Sequence, residues 1–225
     1  MRASITARLR RHADRKDSNK TGLTLKGIRQ ARAFGARLGP RTKVYYGTAT
    51  RTTSTGKLIE QKADLRSKPR QRKELTTSAL KRVEWEAIVK EHGSKEKATR
   101  SWLEGKVSAE VVLPPTIAAD KIMRRKLRLA WKLARAGKKG VVFENITHQE
   151  NQQAVLERLL GISSEALLRG KPIKPLEAIT FKFFKEKEGT RVELTFRGKT
   201  FDVTRRFEKV ISLKKEEEGA PIRGN

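Results

Sequence analysis

The chain has 225 residues, and its 53 lysine and arginine residues outnumber 25 aspartate and glutamate residues to give a formal net charge of +28. This length suits one medium-sized domain, and the charge would attract phosphates, nucleic acids or acidic surfaces. The absence of cysteine excludes disulfides and thiolate metal sites. The sequence shows neither an apolar run of about 18 residues nor a signal-peptide core, so we expect a cytoplasmic protein that does not enter a membrane.

The first predicted element is a strand that ends beside a histidine. Ile5, Ala7 and Leu9 alternate with polar residues, as in a half-buried strand, and Arg11 and His12 follow. Ligands of α/β sheets bind at the carboxyl ends of strands, so His12 is a candidate functional residue. A histidine beside arginines is, however, more often an ordinary surface residue.

A helix and a second strand come next. Apolar residues three or four positions apart predict an amphipathic helix after Thr24: Leu25, Ile28, Ala31, Phe34 and Leu38. Residues 43–47 predict a strand, and the strand–helix–strand order predicts a parallel pair. The second helix, predicted over 48–59, begins with Arg51 and several threonines. Their hydroxyls and the free helix amides suit an anion; alternatively, the threonines only cap the helix.

The segment 67–105 is predicted to be an insertion of loop and helices that covers one edge of the site. A basic patch around its start is either a solvated face or a binding surface for a polyanion: Arg66, Lys68, Arg70, Arg72 and Lys73. Apolar residues within the insertion predict an amphipathic helix and a second, short helix: Leu80, Val83, Ala87, Ile88, Trp102 and Leu103.

A long helix is predicted over 114–137. Its buried side is expected to consist of apolar residues: Ile117, Ile122, Met123, Leu127, Ala130, Leu133 and Ala134. Residues 140–147 include the apolar residues Val141, Val142, Phe143 and Ile146, a pattern typical of a strand buried on both faces. His148 follows directly and precedes a predicted helix over 149–160, so His148 repeats the placement of His12 after a strand.

The remaining segments complete the predicted fold. Short alternating stretches over 179–184, 191–196 and 200–203 predict an antiparallel meander, and the charged tail 214–225 is expected to be disordered. We therefore predict an α/β fold: a three-layer α/β/α sandwich with a mostly parallel central sheet and antiparallel strands near the C-terminus. Residues 1–213 would form one domain with the insertion at 67–105.

The predicted strand ends carry Arg11, His12, Arg51 and His148. Because the carboxyl ends of parallel strands lie side by side, we expect these side chains to converge on one pocket. Arginine presents a planar donor fork to phosphate oxygens, and histidine can donate a hydrogen bond or attack phosphorus. The expected ligand is a phosphoryl group.

Four motifs occur in a fixed order: Arg11-His12-Ala13, then Leu23-Thr24-Leu25-Lys26-Gly27-Ile28-Arg29-Gln30-Ala31, then residues 47–55 with Arg51, and finally Thr147-His148. From Ile5 to about Leu160, this order and spacing resemble the histidine phosphatase superfamily, the phosphoglycerate mutase-like proteins. Departures from the family pattern are Gln149 in place of glycine and charges within two strands: Arg8, Arg10 and Glu144.

The resemblance implies a phosphatase in which His12 is the nucleophile that becomes transiently phosphorylated. Arg11, Arg51 and His148 would complete the phosphate pocket, with no metal and no cofactor. The family usually supplies the proton donor from an acidic residue after the second arginine, and Glu74 fits that place best. An ion pair with basic neighbours is the alternative for Glu74, and other carboxylates compete for the role: Asp14, Glu84 and Glu86.

We therefore expect a phosphomonoesterase that acts on a phosphorylated small molecule or phosphoprotein, and mutase chemistry is less well supported. The alternative is an interaction protein that binds nucleic acid without sequence preference on a catalytically inactive phosphatase-like scaffold. The third histidine, His92, is predicted to be a surface residue. Neither the substrate nor the oligomeric state follows from the sequence.

Overall fold

The computed structural model describes residues 4–15, 22–76, 82–109 and 112–212, with side chains for all of these except 82–84, and within these ranges seven strands form one sheet. The strands are β1 (Ser4–Arg11), β2 (Thr42–Tyr46), β3 (Arg70–Gln71), β4 (Val142–Thr147), β5 (Ala178–Glu186), β6 (Gly189–Phe196) and β7 (Lys199–Asp202). Their spatial order is β3-β2-β4-β1-β5-β6-β7. Strands β1 to β4 pair in parallel, whereas β5 to β7 form an antiparallel meander that pairs with β1.

Helices cover both faces of this sheet, so the predicted three-layer α/β/α sandwich is confirmed. They are α1 (Leu25–Gly35), α2 (Thr50–Glu60), α3 (Arg82–Glu91), α4 (Lys95–Leu103), α5 (Pro115–Ile122), α6 (Arg128–Arg135), α7 (Gln149–Leu160), α8 (Ser164–Leu168) and α9 (Thr204–Ser212). A π-helical turn, Met123–Leu127, joins α5 to α6. The long helix predicted over 114–137 is therefore interrupted near its middle.

The two faces of the sheet bury cores of different size. The alternating residues Ile5, Ala7 and Leu9 of β1 join Phe143 of β4 in the main core, which α5, α6, α7 and α9 cover. The opposite face carries a smaller core built from α1, α2, β2 and β4: Phe34, Leu38, Val44, Tyr46, Ile59 and Ile146. This arrangement leaves the carboxyl ends of β1, β2 and β4 at one edge, between the two helix layers.

The charged residues within β1 and β4 form one ion cluster. Glu144 is fully buried, and its Oε1 lies 2.6 Å from Nη1 of Arg8, the residue opposite it in the β1–β4 register. Its Oε2 lies 3.0 Å from Nε of Arg10. Arg10 also donates to the carbonyl of Leu176, and its guanidinium lies 4.2 Å from the ring centroid of Phe34. Each charge that departs from the apolar family pattern thus has a partner in the cluster.

Two predicted core residues are exposed. Leu25 and Ile117 are 75% and 37% exposed, so their assignment to buried helix faces was wrong. Each lies two residues before the first buried residue of its helix, Gly27 in α1 and Ala119 in α5. Two residues correspond to about 200° of helix rotation, which turns both side chains away from the core.

The insertion contains both helices predicted for it, α3 and α4, with Ile88 and Trp102 buried. Ala87 is exposed, so the apolar face of α3 is narrower than predicted. Leu80, the side chain of Val83 and the predicted tail 214–225 lie outside the described residues. Within the described ranges, every helix is too short or too polar to span a membrane.

Candidate active site

The carboxyl ends of β1 and β4 bring two histidines together. Arg11 is opposite Thr147 in the parallel register, and the backbone N–H of His12 donates to the carbonyl of Thr147 over 3.0 Å. The side chains of His12 and His148 are 4% and 1% exposed. Their ring centroids are 5.4 Å apart, and the rings meet edge to face at 66°. The structure therefore places both imidazoles in one buried site.

The surroundings of His12 leave one of its ring nitrogens free to react. Nδ1 lies 2.7 Å from the carbonyl oxygen of Ala13, and because a carbonyl only accepts, Nδ1 carries the hydrogen. The lone pair of the neutral ring is then on Nε2. Burial and the charge of Arg51 lower the pKa of His12 to about 3, so the ring is neutral at physiological pH. A neutral imidazole of this kind can attack phosphorus.

His148 is held in the opposite tautomer. Arg51, in the first turn of α2, donates from Nε to Nδ1 of His148 over 3.1 Å. The neutral ring must then carry its hydrogen on Nε2, which is buried and has no acceptor among the described residues. Burial and the charge of Arg51 lower the pKa of His148. His148 therefore presents an unpartnered N–H group.

Arg11 provides a second unpartnered donor. One of its terminal nitrogens, Nη1, donates to the carbonyl of Ile173, whereas Nε is buried and has no acceptor in the described part of the chain. A buried donor that lacks an acceptor costs about 1–3 kcal/mol. Two such donors, on Arg11 and His148, in the same site as the free nitrogen of His12 make this site chemically suited to an anion.

A cavity of about 510 Å³ opens beside Arg11 and His12. Its walls come from the loop after His12, from α4 of the insertion, from α7 and from α8 with the residues that follow it. This volume lies within the range of about 300–1,000 Å³ that small-molecule sites occupy. The cavity can hold the organic part of a phosphate ester.

The Leu-Thr-x-x-Gly-x-x-Gln-Ala motif holds the loop that follows His12. Thr24 Oγ1 donates to a carboxylate oxygen of Asp14 over 3.1 Å, and Gln30 Oε1 accepts from the backbone N–H of Asp14 over 3.1 Å. A Cβ atom at Gly27 would lie only 2.0 Å from the carbonyl oxygen of Asp14. The first turn of α1 thus packs directly on the backbone of the loop after His12.

The threonines of α2 use their hydroxyls within the protein. Thr52 and Thr55 donate to the carbonyls of Ala49 and Arg51 over 2.7 and 2.8 Å. Thr55 Oγ1 also accepts from the backbone N–H of Ala13 over 3.2 Å. The N-cap residue is Ala49, so the interpretation of the threonines as side-chain caps was wrong. Thr55 instead connects α2 to the loop after His12.

Glu74 lies in a short 3₁₀ turn, Lys73–Leu75, and is not among the residues that line the cavity. Its Oε2 is 2.8 Å from Nζ of Lys126, and its Oε1 is 3.4 Å from Nη1 of Arg125. Partial burial raises the pKa of Glu74, but the bonds to these two cations outweigh that effect and lower the pKa below its usual range. Glu74 thus forms ion pairs, as the alternative interpretation expected, although its partners are distant in sequence. The role of Glu74 as proton donor stays a prediction.

The competing carboxylates have other surroundings. Asp14 faces Thr24, as described above, and Glu86 is exposed on α3. The side chain of Glu84 lies outside the described residues. The described side chains include no group of three or more histidines or carboxylates placed to hold a metal ion.

Glu150 and Lys95 are site residues that the sequence reasoning missed. Glu150 lies in the first turn of α7, is buried and lines the cavity. Its Oε1 is 2.6 Å from Nζ of Lys95 at the start of α4. Burial raises the pKa of Glu150, but Lys95 and the neighbouring His148 outweigh that effect and lower the pKa. Glu150 could have been found from the sequence, because it lies two residues after a histidine at a strand end. The sequence has no feature that connects Lys95 to Glu150.

Comparison with known proteins identifies the family of the chain. The sequence matches the family model of the histidine phosphatase superfamily (branch 1) over residues 5–193. The chain belongs to this superfamily. No curated protein matches the sequence.

Two solved structures resemble this histidine phosphatase superfamily member along most of its length. Phosphoglycerate mutase from Bacillus anthracis str. Sterne is 15% identical with a TM-score of 0.55, and the match covers 93% of this chain and 97% of that chain. Mycobacterial glucosyl-3-phosphoglycerate phosphatase is 14% identical with a TM-score of 0.60, and the match covers 88% and 99%. At these identities the likeness shows a shared fold.

The contact between α1 and the loop after His12 of this superfamily member can be tested at Gly27. We expect Gly27→Ala to lower the free energy of unfolding by about 1–3 kcal/mol, because the added Cβ would displace the backbone of Asp14. Urea unfolding measures this loss. The control is Gly39→Ala, whose Cβ would meet no atom within 4 Å. Equal losses in the two variants would contradict the proposed packing.

The buried His12 also makes stability depend on pH. Its pKa is about 3 in the folded protein against 6.5 ordinarily, so between these values the unfolded chain binds more protons and stability rises with pH. We expect the difference in unfolding free energy between pH 7.5 and pH 5 to be about 2 kcal/mol smaller in His12→Asn than in the wild type. Urea unfolding at the two pH values measures these free energies. If the difference between the two pH values is the same in His12→Asn and the wild type, His12 is accessible to protons in the folded protein.

Proposed function

We propose that this protein is a phosphatase that hydrolyses phosphomonoesters through a covalent phosphohistidine on His12 and needs no metal ion. The observation that carries the proposal is the free Nε2 of a neutral His12 beside two buried, unpartnered N–H groups, Arg11 Nε and His148 Nε2. A nucleophile next to donors without acceptors fits a tetrahedral anion whose phosphorus is attacked from one side.

The proposed reaction has two steps. His12 Nε2 attacks phosphorus while the bond to the ester oxygen breaks, and the leaving oxygen takes a proton from a carboxylic acid of the site. Water then attacks the phosphohistidine and returns a proton to that carboxylate, the P–N bond breaks, its electron pair returns to Nε2, and inorganic phosphate leaves. Arg11, Arg51 and His148 hold the phosphoryl oxygens, where the transition state spreads its charge.

The two solved neighbours support phosphate-ester chemistry without deciding its outcome. One is a phosphoglycerate mutase and the other a glucosyl-3-phosphoglycerate phosphatase, and both share this fold. We place hydrolysis before mutase chemistry because no phosphoglycerate site is evident in the sequence. Product analysis separates the two: hydrolysis releases inorganic phosphate, whereas a mutase returns it to another hydroxyl of the substrate.

Trapping the intermediate tests the proposal directly. The wild-type protein is mixed with p-nitrophenyl phosphate, quenched in alkali and digested, and the peptide containing His12 is analysed by mass spectrometry. We expect an alkali-stable, acid-labile phosphoryl group on His12 and none in His12→Ala. Turnover without such an adduct, or no turnover at all, would refute the proposed function.

A second function, binding of nucleic acid, is favoured by one surface. Residues 22–76 contain 14 lysine or arginine residues and three aspartate or glutamate residues. On α1, Lys26, Arg29 and Arg32 are exposed, and no carboxylate in the described part of the chain pairs with them. They are spaced three residues apart, so they lie along one side of the helix, where they can contact successive phosphates.

A charge-reversal pair tests this surface. We expect Arg29→Glu/Arg32→Glu to weaken binding to a fluorescent DNA duplex about tenfold or more and to reduce the slope of log K against log salt concentration by about 2. The matched control is Arg128→Glu/Lys132→Glu, an equal charge change at exposed positions of α6. Equal losses in both variants would mean that net charge alone, rather than the α1 surface, attracts the duplex.

A further inference from the structure

Glu150 interacts electrostatically with every member of the phosphate pocket. Burial lowers the pKa of Arg11, His12, Arg51 and His148, and in each case the charge of Glu150 opposes that shift. No other described carboxylate acts on all of these groups: Asp14 and Glu177 act on Arg11 alone among them. Glu150 is therefore the carboxylate placed most centrally in the site.

The position of Glu150 also gives it access to the ester. It lines the same cavity as Arg11 and His12, and the first turn of α7 holds it two residues after His148. Its partner Lys95 belongs to the insertion, so the ion pair joins the insertion to the catalytic end of α7. A carboxylate in this wall of the cavity is on the side toward which the ester oxygen would leave phosphorus if the organic part of the ester lies in the cavity.

The other described carboxylates that line the cavity are less buried than Glu150: Glu96, Glu104 and Glu165 are exposed, and Glu157 is partly exposed. Glu157 accepts from the backbone N–H of Ser164 over 2.7 Å. Glu104 and Glu165 pair with Arg100 at 3.0 Å each. Outside the cavity, Glu74 is paired with Lys126, and Asp14 accepts from Thr24. Glu150 is paired as well, with Lys95, but it is the buried one among the described carboxylates of the cavity and the one that acts on all four pocket residues, which makes it the best-placed acid for the reaction.

We infer that Glu150 is the acid–base catalyst of the proposed phosphatase, an inference that rests on the phosphohistidine chemistry of His12. As His12 Nε2 bonds to phosphorus and the P–O bond breaks, the carboxylic acid of Glu150 gives its proton to the leaving oxygen. In the second step, the carboxylate takes a proton from the attacking water as the P–N bond breaks. Within the complex with the ester, Glu150 thus begins and ends each turnover in the acid form.

Charge balance explains how a carboxylate held beside cations can act as the acid. The cations Lys95, Arg51 and Arg11 interact with Glu150, and Lys95 favours its ionised form. A phosphate ester brings up to two negative charges to the same groups and offsets their positive charge. Binding of the ester therefore raises the proton affinity of Glu150 at the moment when the proton is needed.

Leaving-group dependence separates acid catalysis from a structural role. p-Nitrophenolate leaves without a proton, whereas an alkoxide such as that of glycerol phosphate needs one. We expect Glu150→Gln to lower kcat for glycerol phosphate about 100-fold or more, while the first-turnover burst of p-nitrophenol keeps nearly its wild-type rate. Because the second step also lacks its base, phosphohistidine accumulates on His12 after the burst.

Parallel variants make each outcome decisive. Glu74→Gln is expected to affect both esters equally; selective loss with glycerol phosphate in that variant would assign the role to Glu74 and overturn our inference. Equal losses for both esters in Glu150→Gln would also overturn it. If Glu150→Gln does not fold, Glu150→Asp, which keeps the acid on a shorter side chain, must show the same selectivity in weaker form. Absence of the His12 adduct in the wild type would instead refute the proposed function.

Discussion

Replacing His12 with alanine is expected to lower kcat toward p-nitrophenyl phosphate by about 10⁴-fold or more, because the proposed phosphoenzyme bond forms on His12. His12 is the only histidine of the pair whose Nε2 has a free lone pair in the neutral ring, since Nδ1 donates to Ala13. Steady-state release of p-nitrophenol measures the loss. Substrate binding should change much less than kcat, because Arg11, Arg51 and His148 remain.

The control for His12→Ala is a change at the third histidine. His92 lies at the end of α3, where its Nδ1 is 3.0 Å from the carbonyl oxygen of Ile88. His92→Ala should retain wild-type turnover, because His92 does not line the cavity. Residual activity of more than about 1% in His12→Ala would mean that the phosphoryl group passes directly to water.

Glu144→Ala is expected to lower the free energy of unfolding by about 3–5 kcal/mol, because it leaves the guanidinium of Arg10 buried without its partner. The side chain of Arg10 is only 12% exposed, so water cannot replace the lost carboxylate. Urea unfolding at neutral pH measures the effect. Arg8, which is more exposed, should contribute little to the loss.

A second glutamate on a strand provides the control for Glu144. Glu193 of β6 pairs with Arg191 at 3.1 Å but is partly exposed, so Glu193→Ala should cost about 1 kcal/mol or less. Replacing both Glu144 and Arg10 with leucine should restore much of the lost stability, because the double change removes the unpaired charge. A double variant as unstable as Glu144→Ala would show that packing, and not charge, explains the loss.

Periodicity and strand ends predicted the parts of the fold that surround the site. β1, α1, β4 and α7 are long and regular, so their apolar spacing was informative, and the rule that ligands bind at strand ends singled out His12 and His148. β3 has two residues and α8 has five, too few for any periodic signal. α9 follows the meander without a proline or glycine break and was also missed.

Contacts between distant segments were beyond sequence reasoning. Glu144 was recognised as unusual, but its partners Arg8 and Arg10 lie more than 130 positions away and could be assigned only from the strand register. Similarly, the sequence suggested that Glu74 either donates a proton in catalysis or forms an ion pair with basic residues near it in sequence. In the structure, Glu74 pairs with Lys126, which is distant in sequence. Pairing of charged side chains depends on tertiary packing, which a single sequence does not reveal.

The bond from Arg51 to His148 changes how substitutions of this arginine should be interpreted. Arg51 contributes its own positive charge, and by donating to Nδ1 it also forces the hydrogen of His148 onto Nε2. In Arg51→Met, the imidazole of His148 could carry its hydrogen on Nδ1 instead of Nε2. The site would then lose the Nε2–H donor of His148 as well, although His148 itself is unchanged. The cost of replacing Arg51 therefore measures two residues at once, and only the double variant with His148 can separate their contributions.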